Sequence, residues 1–335
     1  MRVSVIGAGS WGTAVAALVA SSTDTVLWAR RPELADAIEE SGTNPDYLPG
    51  IRLPDRLAAT ADLEHAVAGA GLLIMAVPSH GFRDILQAAR GVAPAGIPIV
   101  SLTKGIETGT LLRMTEVVLE VFDPNPALVG VLTGPNLARE VAVGQPAAAV
   151  IGMSDEAAGT RIQSLLMGRT FRVYTNPDVI GCEAAGALKN VMAIAAGMAH
   201  GLGYGDNSKA ALVTRALAEL TRLGIALGGQ PITFAGLAGM GDLVATCFSD
   251  QSRNRTVGVE LGRGRALEEI TAEMQMVAEG VKSTEAVLAL AARHDIDMPI
   301  AQAVGAVLYQ GLRPADMVEA LMMRQAKSEM HGIGK

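Results

Sequence analysis

Apolar and polar positions follow two different regimes along the chain. In the first half, short β-branched runs alternate with helix-compatible stretches. Val3, Val5 and Ile6 open the series, and Thr25–Trp28 follows. Further strand expectations fall at residues 72–77, 97–102, 127–132, 147–151 and 171–174. Helices are expected at 11–20, 31–40 and 110–121. Strands alternating with helices predict a mostly parallel sheet covered on both faces. After about residue 180 strand signals nearly vanish. Leu212, Ala216, Leu220, Leu223 and Leu227 are spaced at helical steps, with Arg215, Glu219 and Arg222 on the other side. That is an amphipathic helix. Ile300, Ala303, Val304, Val307 and Leu308 repeat the pattern behind Pro299, and Pro314 stands where another first helical turn begins. The expected fold class is α/β: an α/β domain over 1–180, then an all-α domain over 181–335. Thr175-Asn176-Pro177-Asp178 is the joint.

Composition narrows the function. The 335 residues are 50% hydrophobic and 18% charged, enough to build a sizeable core. Glycine is in excess, with 38 residues, whereas Phe, Trp and Tyr number five, two and four. So few aromatics argue against base-stacking platforms, and a net charge of −7 argues against a phosphate-backbone binder. No nucleic-acid partner is expected. Cys182 and Cys247 are far apart and the five histidines are scattered, so neither a disulfide framework nor a metal site is expected. Such cysteine usage fits a reducing compartment. Purely apolar runs stop near a dozen residues, short of the ~20 needed to span a bilayer. Residues 1–22 have the look of a signal peptide, but read better as strand, turn and helix.

Gly7, Gly9 and Gly12 form a GxGxxG between a strand and a helix, with a second strand closing the unit. In that context the first glycine turns, the second admits a pyrophosphate, and the third lets helix and strand pack closely. The helix N-terminus then faces the anion, so 1–180 is expected to be a Rossmann-type dinucleotide-binding domain, with the all-α domain over 181–335 left for substrate and catalysis. NAD sites usually carry an acid at the end of the second strand. Here the sequence is Trp28-Ala29-Arg30-Arg31. Two guanidinium groups suit a 2′-phosphate, so NADP(H) is expected to be accepted and preferred, with NAD(H) as the second cofactor. The bland alternative is a solvated helix start.

Three further clusters carry candidate chemistry. Lys104 follows a strand in Thr103-Lys104-Gly105, where ligands bind in open α/β sheets; it is either an anion contact or a surface lysine. Lys189 lies in the apolar run Gly186-Ala187-Leu188-Lys189-Asn190-Val191. It either snorkels to the surface or sits in a pocket. In a pocket, desolvation and neighbouring cations would lower its pKa, as acid/base work requires. Asn190 could orient substrate or lysine. Gly239-Met240-Gly241-Asp242-Leu243 presents an acid for a substrate hydroxyl or the lysine ammonium. Ser252-Arg253-Asn254-Arg255 is either a set of phosphate donors or a charged helix start, and Glu279 is a weaker candidate.

Taken together these motifs resemble the bacterial NAD(P)-dependent sn-glycerol-3-phosphate dehydrogenases over nearly the whole chain. The resemblance rests on Gly-Ala-Gly-Ser-Trp-Gly-Thr-Ala at 7–14, Val-Pro-Ser-His at 77–80, Thr-Lys-Gly at 103–105 and Thr-Gly-Pro at 133–135. It continues through Phe-Arg-Val-Tyr-Thr-Asn-Pro-Asp at 171–178 and Gly-Ala-Leu-Lys-Asn-Val at 186–191. Gly-Met-Gly-Asp-Leu at 239–243, Gln-Ser-Arg-Asn at 251–254 and Val-Ala-Glu-Gly at 277–280 complete it. It implies that Ser10, Trp11, Arg30 and Arg31 hold the cofactor, with Ala138 beside it. Arg253, Val277 and Glu279 would also reach the cofactor. Lys104 would lie between cofactor and substrate. Gly134 and Asn136 would contact substrate, Asn136 standing where the family usually has Thr or Ser. Lys189 would be the proton donor and acceptor; Asn190, Asp242, Ser252, Arg253 and Asn254 would bind glycerol phosphate. The resemblance further implies a cytoplasmic homodimer that interconverts dihydroxyacetone phosphate and sn-glycerol 3-phosphate for glycerophospholipid synthesis. Two other readings compete: a β-hydroxyacid dehydrogenase of related plan, and a non-catalytic NADP sensor.

Overall fold

A computed structural model describes residues 1–274 and 278–329. The chain divides into two compact units, one of Met1–Lys104 with Leu112–Val179, the other of Gly105–Leu111 with Ile180–Lys335.

The first unit is built on ten strands. They are β1 (Val3–Ile6), β2 (Thr25–Trp28), β3 (Thr43–Asn44), β4 (Leu48–Arg52) and β5 (Leu57–Thr60), then β6 (Leu72–Met75), β7 (Ile99–Ser101), β8 (Val129–Thr133), β9 (Ala147–Met153) and β10 (Phe171–Asn176). Eight form one sheet in the order β10-β9-β8-β7-β6-β1-β2-β5, and β3 and β4 pair separately. Every pairing in the large sheet is parallel except β8 with β9. Alternate residues feed opposite faces. Val3, Val5, Leu72 and Ile74 join one apolar cluster; Ile6, Leu73 and Met75 join another. Helices cover both clusters, as near-continuous hydrophobic strands require.

The structure departs from the sequence reading at residues 105–111. The expected helix over 110–121 begins only at Met114. Gly109 and Leu111 have positive φ, which no helix tolerates. This short segment belongs to the second unit, where Arg293 Nη2 donates to Thr110 O at 3.5 Å. β3, β4 and β5 were not anticipated by the pattern.

From Ile180 onward the regular elements of the second unit are all helices among its described residues. Its centre is Val179–Gly201, buried from Gly181 to Ala199. By length and composition this helix and Pro231–Phe248 could cross a bilayer, although purely apolar runs are short. Burial of 89% of its apolar window identifies the first as a core helix; the second is 44% buried. Val179–Gly201 meets the helix Arg253–Gly262 backbone to backbone. A Cβ on Gly197 would stand 2.2 Å from Arg255 O, and one on Gly258 2.1 Å from Ile194 O. Only glycine permits that approach, which accounts for part of the glycine excess.

One polar expectation is corrected. Glu219, placed by periodicity on the solvent side of Asp206–Ala226, is 2% exposed. Its carboxylate accepts the N–H groups of Ile300 and Ala301 at 2.8 and 3.3 Å. Those amides belong to the first turn of Pro299–Gln310, which has no side-chain cap of its own.

Candidate active site

In the first unit the glycine motif turns directly from β1 into the helix Ser10–Ala20. Gly7 has φ +123°, and a Cβ there would lie 2.6 Å from Ala76 O. A Cβ on Gly12 would lie 2.0 Å from Gly7 O. Gly9 differs: a Cβ would meet nothing within 4 Å. Two glycines are therefore required by packing, and the third opens onto space. The helix beyond has no side-chain N-cap and no acid in its first turn. An open glycine before such a helix start fits a pyrophosphate.

The turn is braced by residues that the sequence reading missed. Asn44, fully buried on β3, donates through Nδ2 to Ala8 O and Thr13 Oγ1, both at 2.9 Å. Its Oδ1 accepts Tyr47 N–H at 3.0 Å. Ser10 Oγ donates to Tyr47 O at 2.9 Å. Trp11 packs tilted against Phe171, with ring centroids 6.4 Å apart. At the end of β2, Arg30 and Arg31 are exposed. Arg31 Nη2 donates to Asp46 Oδ2. That hydrogen bond raises the guanidinium above its ordinary value, and desolvation opposes it.

Lys104 follows β7, where Thr103 Oγ1 anchors the strand end on Val77 O at 2.6 Å. Lys104 Nζ donates to Gly134 O at 3.3 Å. Gly134 has φ +133°, a conformation that favours glycine. Asn136 Nδ2 donates to Ala148 O at 2.9 Å, so one of its two amide N–H groups is engaged with β9. Among the described residues, Thr133 Oγ1 and Asn136 Oδ1 are buried without a hydrogen-bond partner. Both flank Gly134. Ala138 opens the short helix Ala138–Ala142.

In the second unit Lys189 is 7% exposed; it does not snorkel. Its Nζ donates to Asp242 Oδ1 at 2.5 Å and to Thr246 Oγ1. Asp242 is 1% exposed, at the start of Asp242–Phe248. The structure thus pairs the ammonium with the carboxylate, one of the two partners the sequence offers for Asp242. Thr246 was missed; it lies one helical turn beyond Asp242, on the same face. Burial pushes the neighbouring Cys247 thiol up to about 12, against the opposing effect of Lys189, so it supplies no thiolate. Cys182 is also buried and takes part in no disulfide.

Asn190 is buried, and a Cβ on Gly280 would stand 2.8 Å from its carbonyl oxygen. Asn254 Oδ1 accepts Gly280 N–H at 2.8 Å. Ser252 caps Arg253–Gly262, accepting Arg255 N–H at 3.3 Å. Arg253 is exposed at the first position of that helix. Glu279 opens Glu279–Arg293, half-buried. Val277 lies outside the described residues. A separate cavity of about 920 Å³, lined by Tyr204, Arg215, Glu219 and Arg222 among others, does not include Lys189. Among the described residues no group of His, Cys, Asp or Glu is arranged to hold a metal.

The profile described as NAD-dependent glycerol-3-phosphate dehydrogenase N-terminus matches residues 2–159. The corresponding C-terminus profile matches residues 178–319. A glycerol-3-phosphate dehydrogenase [NAD(P)+] of Thermobifida fusca is 52% identical over 334 residues, 99% of each chain. A second, from Sphingopyxis alaskensis, is 54% identical over 332 residues, again 99% of each. The crystal structure of glycerol-3-phosphate dehydrogenase from Coxiella burnetii superposes with TM-score 0.91 at 37% identity, covering 96% of this chain and 99% of that one. The chain belongs to the NAD-dependent glycerol-3-phosphate dehydrogenase family.

Proposed function

We propose that the chain reduces dihydroxyacetone phosphate to sn-glycerol 3-phosphate with NADPH, and with NADH as second cofactor, using Lys189 as proton donor. The observation that carries this is the buried Lys189 ammonium, fixed by Asp242 and Thr246. The dinucleotide, when bound, supplies the hydride. Gly7, Gly9, Gly12, Ser10 and Trp11 form its pyrophosphate end, and Arg30 and Arg31 its 2′-phosphate end. Ala138, Arg253, Val277 and Glu279 would complete its surroundings.

As the carbonyl is reduced, negative charge gathers on its oxygen. Lys189 stabilises that charge and gives up the proton. Asp242 and Thr246 hold the ammonium in position, and Asp242 offers an acceptor to a substrate hydroxyl. Asn254 commits its oxygen to Gly280, which leaves its amide donors for a phosphate oxygen. Ser252 accepts from Arg255 and still has its hydroxyl proton to donate. Arg253 adds a charge-assisted fork. Phosphate binding at a distance from the carbonyl orients the reacting end. Asn190 and Lys104 position the substrate beside Gly134. Asn136 would offer Oδ1 as an acceptor, and one further N–H beside the one given to Ala148 O. In this reading the N-terminal domain binds NAD(P) and the C-terminal domain carries substrate and catalysis.

With the family established, the β-hydroxyacid alternative falls away. The intact Lys189–Asp242 pair favours an enzyme over a sensor. We place the enzyme in the cytoplasm, where two buried cysteines outside any disulfide are at ease, feeding glycerophospholipid synthesis. A homodimer is also proposed; exposed Ile232, Phe248, Met322 and Met323 on the second unit offer apolar surface for it. Sedimentation would read the assembly directly. Lys189→Met tests the chemistry: turnover should fall at least ~10³-fold, within the range of general acid catalysis, while NADPH affinity holds. A variant that keeps most of its kcat rules out the acid role.

A further inference from the structure

The end of β2 lacks the acid that usually bonds the ribose 2′-OH of NAD. The fold brings a carboxylate there from another element. Asp46 lies in the turn between β3 and β4, and its Oδ2 accepts the hydrogen bond of Arg31 Nη2. That turn is tied to the glycine motif on both sides of Asp46. Before it, Asn44 holds Ala8 O and Thr13 Oγ1, each at 2.9 Å. After it, Tyr47 O receives Ser10 Oγ at 2.9 Å. Asp46 is therefore fixed in place relative to the pyrophosphate turn. The side chains of Arg31 and Asp46 are 51% and 45% exposed, so a ligand can reach either. A surface pair of this kind contributes little to stability. Its position is what matters.

We propose that Asp46 is a specificity-determining residue for the dinucleotide, standing in for the acid absent from the end of β2. It accepts the 2′-OH of NADH and competes with the 2′-phosphate of NADPH for Arg31. The proposal rests on the cofactor reading above. A neutral 2′-OH donates to the carboxylate while Arg31 stays paired with it. A 2′-phosphate must displace that carboxylate from the guanidinium and then remain close to its negative charge. One side chain thus moves the two cofactors in opposite directions. It tempers the NADPH preference that two adjacent arginines would otherwise impose.

The test is calorimetric titration of the full chain and of Asp46→Asn with NADPH, NADH and the fragment 2′,5′-ADP. In the variant, NADPH and 2′,5′-ADP should bind about three- to tenfold tighter and NADH about three- to tenfold weaker, the scale of one net hydrogen bond. The melting temperature should stay within ~1 °C, because an exposed pair is lost. Equal changes for both cofactors, or none, overturn the proposal. Arg31→Ala separates the two levels. If it weakens NADPH selectively while Asp46→Asn leaves the ratio unchanged, the Asp46 role alone is wrong. If it weakens both cofactors equally, the 2′-phosphate reading fails, and the Asp46 role with it.

Discussion

The glycine turn of the first unit and the lysine cluster of the second prepare for anionic ligands by opposite means. The turn uses backbone: a helix start with no acid in its first turn, and one glycine whose Cβ would meet nothing. The cluster uses side chains, with an ammonium held between a carboxylate and a hydroxyl 53 and 57 residues away. Around Gly9 space is left for a ligand. Further along the helix that carries Lys189 space is removed, by glycines that bring it into backbone contact with Arg253–Gly262. Glycine serves both regions, by leaving room in one and by closing it in the other.

Two parallel substitutions separate those uses and should give the largest effect. Gly258→Ala drives a methyl to 2.1 Å from Ile194 O, a backbone atom that cannot swing aside. Overpacking of this kind should cost about 3 kcal/mol or more. Gly9→Ala meets open space at φ −70°. Its stability should stay within about 1 kcal/mol, as the lost backbone freedom of the unfolded chain offsets a poorer N-cap. NADPH affinity should fall all the same, because the methyl stands where a pyrophosphate approaches. Urea denaturation and cofactor titration of both variants give the answer. A stable Gly258→Ala would show that the glycine contact is not tight.

A middle-sized effect probes the support of the turn. Asn44→Ala removes two donors and one acceptor from a fully buried position. Ala8 O and Tyr47 N–H would lose their partner, at about 2 kcal/mol. Cofactor affinity should drop with stability, since Tyr47 is also the acceptor for Ser10. Loss of stability with unchanged cofactor affinity would separate the brace from the site.

These regions also differ in how much of them could be read in advance. The turn is contiguous: strand, glycines, helix and second strand lie within residues 3–28, so local spacing reveals them. Its brace was hidden, because β3, β4 and β5 are two to five residues long and mostly half-buried or exposed. Strands like these show no apolar alternation. At the cluster, the apolar run around Lys189 left open a surface or a pocket, and Asp242 was open between substrate and lysine. Only tertiary packing decides such questions. Thr246 had a usable signal, the four-residue step from Asp242, but nothing marks a threonine in a helix as a ligand until its neighbour is known. Glu219 misled for a related reason. Periodicity assigns a charged residue to solvent, yet Pro299 announces a helix start that lacks a cap of its own.

Glu219 therefore gives the smallest and most specific test of the second region. Burial pushes its carboxyl up to about 7 from an ordinary 4.5. The amides of Ile300 and Ala301 and the Arg222 charge oppose that rise, and Asp297 adds to it. The folded state thus holds a proton that the unfolded chain releases first. The stability tied to this proton is fully present below pH 4.5 and is lost as pH rises through about 7, an effect of about 3 kcal/mol. Glu219→Gln has no proton to lose, and its single carbonyl satisfies one amide where the carboxyl met two. At pH 5 it should be less stable than the parent by about 1 kcal/mol. By pH 8 the order should reverse, because the parent then carries a buried charge. Chemical denaturation at the two pH values measures both terms. If parent and variant lose stability in parallel between them, the buried carboxyl of Glu219 is not the group that titrates.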